Sequence, residues 1–214
     1  YYAKLGLTVP PKFSPPIQNP PLTLALLQQM PKCDLDCRFL GSVPLTLLYK
    51  FYQELTDDER DNEYIPVFNS YEDLSKYILN EKEEAFHIKG KELALHLLQK
   101  EQNIREAVHA ICYEAFVDKV VYMEFTCCPL LHTKYHKPEE VLEFICDECN
   151  KFNETHEIKV KIVLNANLAR LSPLDTQKIA ELCVSFKEKG VIAFTTTTGE
   201  IEEDAMKYYE STFD

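Results

Sequence analysis

The sequence predicts an α/β fold with a parallel sheet, and three observations carry that prediction. From Asp34 onward, strand-like and helix-like segments alternate as β-α-β-α-β-α-β-α. The later strand segments, Lys119–Phe125 (KVVYMEF), Lys159–Leu164 (KVKIVL) and Val191–Thr195 (VIAFT), are nearly all apolar. Parallel strands covered on both faces have that composition. No Gly-x-Gly-x-x-Gly follows any strand, in a chain with only 5 glycines, which removes the main signal for a dinucleotide-binding sheet. On pattern alone, an open doubly wound sheet and a β/α barrel both remain.

The elements follow in order. Val9–Pro21, VPPKFSPPIQNPP, holds repeated Pro-Pro pairs. Proline fixes φ and lacks an N–H, so residues 1–21 read as a proline-rich extended arm. The arm is either a solvated linker or an ordered segment lying on a partner or on the body of the domain. Leu22–Met30 reads as a short helix stopped by Pro31, and a strand follows at Asp34–Phe39. Pro44–Leu55 carries Leu47, Leu48, Phe51 and Leu55 at helical spacing. Asp57–Asn62 is an acidic turn, and Tyr64–Phe68 is too short to assign. Ser70–Leu79 is a helix with Ser70 as its cap, and Glu81–Glu84 is a charged loop or helix start. Glu92–Lys100 and Asn103–Asp118 are helices; Ile104, Val108, Ile111, Cys112, Ala115 and Phe116 form the buried stripe of the second. Pro138–Phe152 places its proline in the first turn. In Ser172–Lys189, Ser172 caps, Pro173 takes the first helical position and Gly190 closes. Glu202–Thr212 is the last helix.

Pro31–Val43, PKCDLDCRFLGSV, alternates apolar and polar residues. As a regular strand it puts Cys33, Leu35, Cys37 and Phe39 on one face, packed against helices, and Asp34, Asp36 and Arg38 on the other. In a barrel, the second row would face the interior.

Composition excludes several classes. The chain has 214 residues, 45% hydrophobic and 27% charged, with net charge −12, enough apolar material for a substantial core. No Lys/Arg stripe is present, so neither nucleic acid nor an anionic membrane surface is expected as a partner. No apolar run approaches the ~20 residues of a membrane span, and no secretory signal pattern opens the sequence. The 8 cysteines sit mostly in apolar contexts and read as reduced core residues, which suits a cytoplasmic protein.

Pro31–Val43 resembles the first barrel strand of the adenosine deaminase family. That family's Pro-Lys-x-Glu-Leu-His-x-His-Leu-Asp-Gly-Ser segment carries two zinc-binding histidines. Pro31, Lys32, Leu35, Gly41 and Ser42 keep the pattern; Asp36 and Arg38 stand at the histidine positions, and Leu40 at the family's Asp. Arg105–Pro129 is similar to the family's next helix and strand, with Tyr122, Glu124 and Pro129 matching a Tyr-x-Glu-x-Arg-x-Ser-Pro pattern. Thr126 and Cys128 replace its Arg and Ser. Lys159–Gly199 resembles the third strand, the following helix (Glu181, Leu182, Cys183) and the fourth strand, which ends TTTTGE from Thr195 in place of Asp-Leu-Ala-Gly-x-Glu. Gly199 and Glu200 keep the glycine turn, and the Asp is gone. The resemblance implies a TIM-type (β/α)8 barrel of the metal-dependent hydrolase kind. Residues 22–214 would supply its N-terminal half, about four β/α units. It also implies a second half, in a longer chain or a separate partner, because four strands leave two open edges.

The family mechanism, as the resemblance implies it, directs a zinc-bound water at the purine carbon bearing the amine. Asp36 could still bind a cation; Arg38 could not, because guanidinium has no lone pair to donate. A buried or half-buried Asp36–Arg38 ion pair filling the former metal cavity is therefore expected, with Arg38 swung out to solvent as the alternative. No metal or cofactor is expected, the family zinc being lost. Leu40, Gly41, Glu124, Thr195 and Gly199 would be remnants of the pocket, with Glu124 in a structural hydrogen bond. Cys33/Cys37 with Cys146/Cys149 read as core thiols rather than a zinc site, and Cys127-Cys128 as shielded thiols rather than a nucleophile. His132 and His136 read as a solvated loop pair, and the acidic runs as solvated faces.

Three functions follow. The first is a catalytically inactive family member acting as a structural or protein-binding component of a larger assembly, cytoskeletal or other. Its contacts would be the Val9–Pro21 arm and the open barrel edges. The second is a metal-free nucleoside sensor, and the third a divergent deaminase.

Overall fold

The computed structural model describes residues 23–60, 65–79, 86–168 and 170–197. The proline-rich arm, Glu81–Glu84, Gly199, Glu200 and the last expected helix lie outside them. The described residues fall into two units divided between Met30 and Pro31. The first contains α1 (Leu24–Gln29), started by Thr23, whose Oγ1 accepts the Leu26 N–H at 3.2 Å.

The second unit is built on four parallel strands in the order β1-β2-β3-β4. They are β1 (Lys32–Arg38), β2 (Val120–Cys127), β3 (Lys159–Asn167) and β4 (Val191–Thr197). The long β1–β2 crossover contains α2 (Phe39–Ser42), α3 (Leu45–Gln53), α4 (Asp57–Arg60), α5 (Tyr71–Ile78), α6 (Phe86–Leu97) and α7 (Glu101–Val117). A 3-10 turn (Pro129–His132) and α8 (Pro138–Thr155) lead to β3, and α9 (Pro173–Ser185) leads to β4. Among the described residues this gives four parallel strands joined by three helical crossovers, the pattern of a partial β/α barrel. Among the described residues, no helix is long and apolar enough to cross a membrane.

The helix starts follow from their caps. Ser70 Oγ accepts the Asp73 N–H. Ser172 Oγ accepts the Asp175 N–H, and Asp175 accepts the Ser172 N–H in return, both at 3.2 Å. Such reciprocal bonds satisfy donors that the first turn leaves orphaned. Ahead of Pro138, Glu140 accepts the Lys137 N–H at 2.7 Å.

The core lies between sheet and helices. Met123, Phe125, Ile162 and Leu164 of the central strands are essentially inaccessible. They join one cluster with Ile104, Val108, Ile111 and Cys112 of α7 and with Val141, Leu142, Ile145, Cys146 and Cys149 of α8. The latter five follow the 3-4 spacing of an amphipathic stripe.

Three expectations change, the first being that the helix expected at Glu92–Lys100 runs from Phe86 to Leu97. The Ser172–Lys189 helix ends at Ser185 and tightens into a 3-10 turn, Lys187–Lys189. Asp57–Asn62 contains a helical turn, Asp57–Arg60. Gly190 closes the segment as expected, at φ 105°, where only glycine is comfortable. A Cβ there would meet Asn150 Oδ1 at 3.6 Å, so the constraint is backbone strain and not space. Gly190→Ala is expected to destabilise the protein by about 1–2 kcal/mol in urea unfolding. Gly41→Ala, in a helix with nothing within 4 Å of the added Cβ, should be neutral or slightly stabilising.

Candidate functional site

The parallel strands present their C-terminal ends on one face, the face where β/α barrels build their sites. β1 is the irregular one. Asp34 pairs with Met123, and Cys37 with Phe125, so β1 carries one more residue than β2 over that step. This is a bulge, and Asp34 Oδ1 accepts the Asp36 N–H across it at 3.2 Å. The bulge breaks the expected alternation. Cys33 is in register with Tyr122 and exposed, and Leu35 is 63% exposed. Of the four residues expected to pack on helices, only Cys37 and Phe39 are buried. Phe39 already belongs to α2.

Asp36 and Arg38 do pair. Arg38 Nε lies 3.1 and 3.0 Å from the two Asp36 carboxylate oxygens, and Nη2 is 2.9 Å from Oδ2. The pair is not buried: the side chains are 59% and 52% exposed. Of the expected alternatives, buried or half-buried, the pair takes the half-buried one: Arg38 reaches the wall of the cavity behind it, while close to half of each side chain is covered. At that exposure the pair contributes little stability, ~0–1 kcal/mol. The donor set at these positions does not suit zinc. Arg38 offers no lone pair, and it occupies the one carboxylate. Among the described residues, no three His, Cys, Asp or Glu side chains are grouped to hold a metal ion.

Behind this pair lies a cavity of about 120 Å³, walled by Arg38, Leu40, Gly41, Lys91, Thr126 and His132, with Asn165, Asn167 and Thr197 from the last two strands. Leu40 and Gly41 are thus brought to the site. Thr195 is in register with Asn165, yet Thr197 lines the cavity in its place. Its Oγ1 donates to Asn165 Oδ1 at 3.1 Å. Glu124 accepts from the Tyr122 hydroxyl at 3.0 Å and sits opposite Lys161 in register, two residues before Thr126.

His132 corrects another expectation. It is 1% exposed, its Nδ1 is 2.7 Å from the Leu98 carbonyl, and its ring packs on Phe39 at 5.3 Å. A carbonyl only accepts, so Nδ1 carries the hydrogen. Burial pulls the imidazole down to about 4, against a smaller opposing effect of the Leu98 bond, so the ring is neutral near pH 7. The 3-10 turn after β2 folds it inward, which loop composition does not reveal. His136 packs edge-on against Phe144.

The buried thiols behave as expected of core residues, and Cys33, which is exposed, does not. Burial pushes Cys127 well up and Cys128 up to about 11. Cys146 is pushed up to about 12 by burial, and Cys149 well up by its contact with Cys112 and by burial.

A second cavity of about 340 Å³ lies near the start of α7. Its organising group is Glu59, which accepts from the Thr56 N–H, Lys100 and the Tyr135 hydroxyl. The Thr56 bond first, then Lys100, hold its carboxyl down to about 2.

This geometry defines the class: four parallel strands with helical crossovers and a polar mouth at the C-terminal strand ends. The adenosine deaminase family model matches residues 31–214, and the chain belongs to that family. It is 26% identical over 211 residues to a probable adenosine deaminase of Dictyostelium discoideum, covering 91% of this chain and 27% of that protein. It is 24% identical over 192 residues to an adenosine deaminase of Clostridium botulinum, covering 86% of this chain and 53% of that protein. It therefore spans from about a quarter to about half of the length of these relatives. Among solved structures, Arabidopsis ADAL complexed with GMP superposes with a TM-score of 0.71 at 15% identity, over 89% of this chain and 57% of that one. A zinc-bound amidohydrolase of Burkholderia ambifaria gives 0.71 at 14% identity, over 92% and 52%.

Sequence reasoning missed Thr126 as a wall of the cavity, together with His132, Lys91, Asn165, Asn167 and Thr197. The ends of strands in a β/α pattern would have flagged the three β2 and β3 residues. Nothing local flags Lys91, which arrives on α6.

Two outcomes are expected. In the native protein, a thiol reagent should label Cys33 fastest, and Cys33→Ser should remove that fast phase while the buried thiols stay protected. Acid should destabilise the fold in two windows. The folded pKa of His132 is lowered, so the unfolded chain binds more protons as pH falls from ~6.5 toward about 4, and stability drops there. Glu59 adds a further loss between ~4.3 and about 2. Glu59→Gln should lower the melting temperature at pH 6, and its deficit should shrink below pH ~4.3.

Proposed function

We propose that this chain is the N-terminal half of an adenosine-deaminase-type barrel that has lost its zinc site and acts as a structural or protein-binding component. The observation that carries the reading is the Arg38–Asp36 pair at the positions of the two metal-binding histidines. A guanidinium there repels a divalent ion, and it ties up the carboxylate that might have bound one. The fold, and not the reaction, is then what the chain retains. Its partners are proteins, engaged through the Val9–Pro21 arm and the barrel edges at β1 and β4. A cytoplasmic setting within a cytoskeletal or other large complex fits this role.

A second reading, a metal-free nucleoside sensor, draws support from the polar cavity at the strand ends. The names of the relatives, adenosine deaminases, favour the third, a divergent deaminase.

The test uses the full-length protein. Zinc is measured by mass spectrometry, ammonia release is followed with adenosine and AMP, and binding of adenosine and inosine is followed by calorimetry. The expected result is no stoichiometric zinc, no ammonia and no nucleoside heat. Stoichiometric zinc with ammonia release, lost on Asp36→Ala in a protein that still melts cooperatively, would overturn the reading in favour of an enzyme.

A further inference from the structure

We infer that the cavity at the strand ends binds a small tetrahedral oxyanion of the phosphate class, held between Arg38 and Lys91. The inference rests on the metal-free reading above, and it names the ligand class of that same site.

The charge of the cavity is the first argument. The chain carries a net charge of −12, yet among the described residues two cations and no carboxylate line this cavity. Arg38 is oriented by Asp36, which offsets part of its charge through Nε and Nη2. Lys91 is exposed and makes no ion pair among the described residues.

Hydrogen-bonding capacity is the second. Thr197 donates to Asn165 Oδ1, which fixes the amide orientation and leaves the Asn165 NH2 as a donor. The Thr126 hydroxyl lies on the neighbouring strand, in register with Val163. His132 donates through Nδ1 to Leu98, so its Nε2 is an acceptor, suited to the proton of a hydrogenphosphate. Donors from two cations with neutral polar groups, plus one acceptor, match a protonated oxyanion better than a cation or an apolar group.

Size is the third. About 120 Å³ is roughly four times the ~30 Å³ share of a liquid water. That gives room for one phosphate group against these walls.

The test is calorimetry on the full-length protein in phosphate-free, low-salt buffer, with zinc measured in the same sample. Inorganic phosphate, AMP and adenosine are titrated separately. Phosphate is expected to bind with one-to-one stoichiometry and to weaken as salt is raised. Lys91→Gln should weaken it by about tenfold, as loss of one charged hydrogen bond does, with circular dichroism unchanged. Binding of AMP tighter than phosphate, without binding of adenosine, supports the inference and identifies the source as a nucleotide. Equal binding of AMP and phosphate supports it with the free ion as source. Absence of heat from phosphate and AMP in zinc-free protein overturns the inference and leaves the metal-free reading standing. Phosphate binding that is unchanged in Lys91→Gln also overturns it, as does adenosine binding as tightly as AMP. Stoichiometric zinc overturns both readings.

Discussion

The pairing of β2 with β3 is the constraint on which the rest depends. From Tyr122–Lys159 to Cys127–Leu164 their register runs without a shift, and Met123, Phe125, Ile162 and Leu164 are essentially inaccessible. Both outer pairings contain shifts, between β1 and β2 and between β3 and β4. The centre of the sheet is therefore fixed by packing on both sides, and irregularity is displaced to the strands with one neighbour. Slipping β2 against β3 by one residue would turn Met123 and Phe125 away from the helices. No comparable penalty guards β1.

That asymmetry explains which parts of the molecule were legible in the sequence. The helices with caps and stripes, α5, α8 and α9, announce themselves through Ser70, Pro138, Ser172 and their 3-4 spacing. The apolar runs of β2, β3 and β4 do the same. The alternation of Cys33, Leu35, Cys37 and Phe39 looked equally clear and misled, because alternation predicts a face only where the ladder is regular. The bulge is a property of how β1 meets β2, and no residue within β1 encodes it alone. His132 failed for the converse reason: its neighbours Thr133, Lys134 and Tyr135 are exposed, so the local composition is that of a loop around one buried ring.

The candidate site was half legible. The resemblance located Asp36, Arg38, Leu40 and Gly41 at the first strand end, and the structure keeps Arg38, Leu40 and Gly41 on the wall of one cavity. The opposite wall comes from Thr126, Asn165, Asn167 and Thr197, whose meeting depends on strand order. Glu124 stands apart as a partner of Tyr122 lower in the sheet.

The thiol-rich interior has a consequence for recovery after damage. Six of the eight cysteines are buried, and burial shields them from reagents. Once the chain unfolds, each becomes an accessible, reactive thiol, and disulfides among them would join residues that the native packing holds as free thiols. Heat or denaturant applied in air would then convert a reversible transition into a chemical dead end, so the protein's ability to refold depends on the redox state of its surroundings as much as on its own contacts.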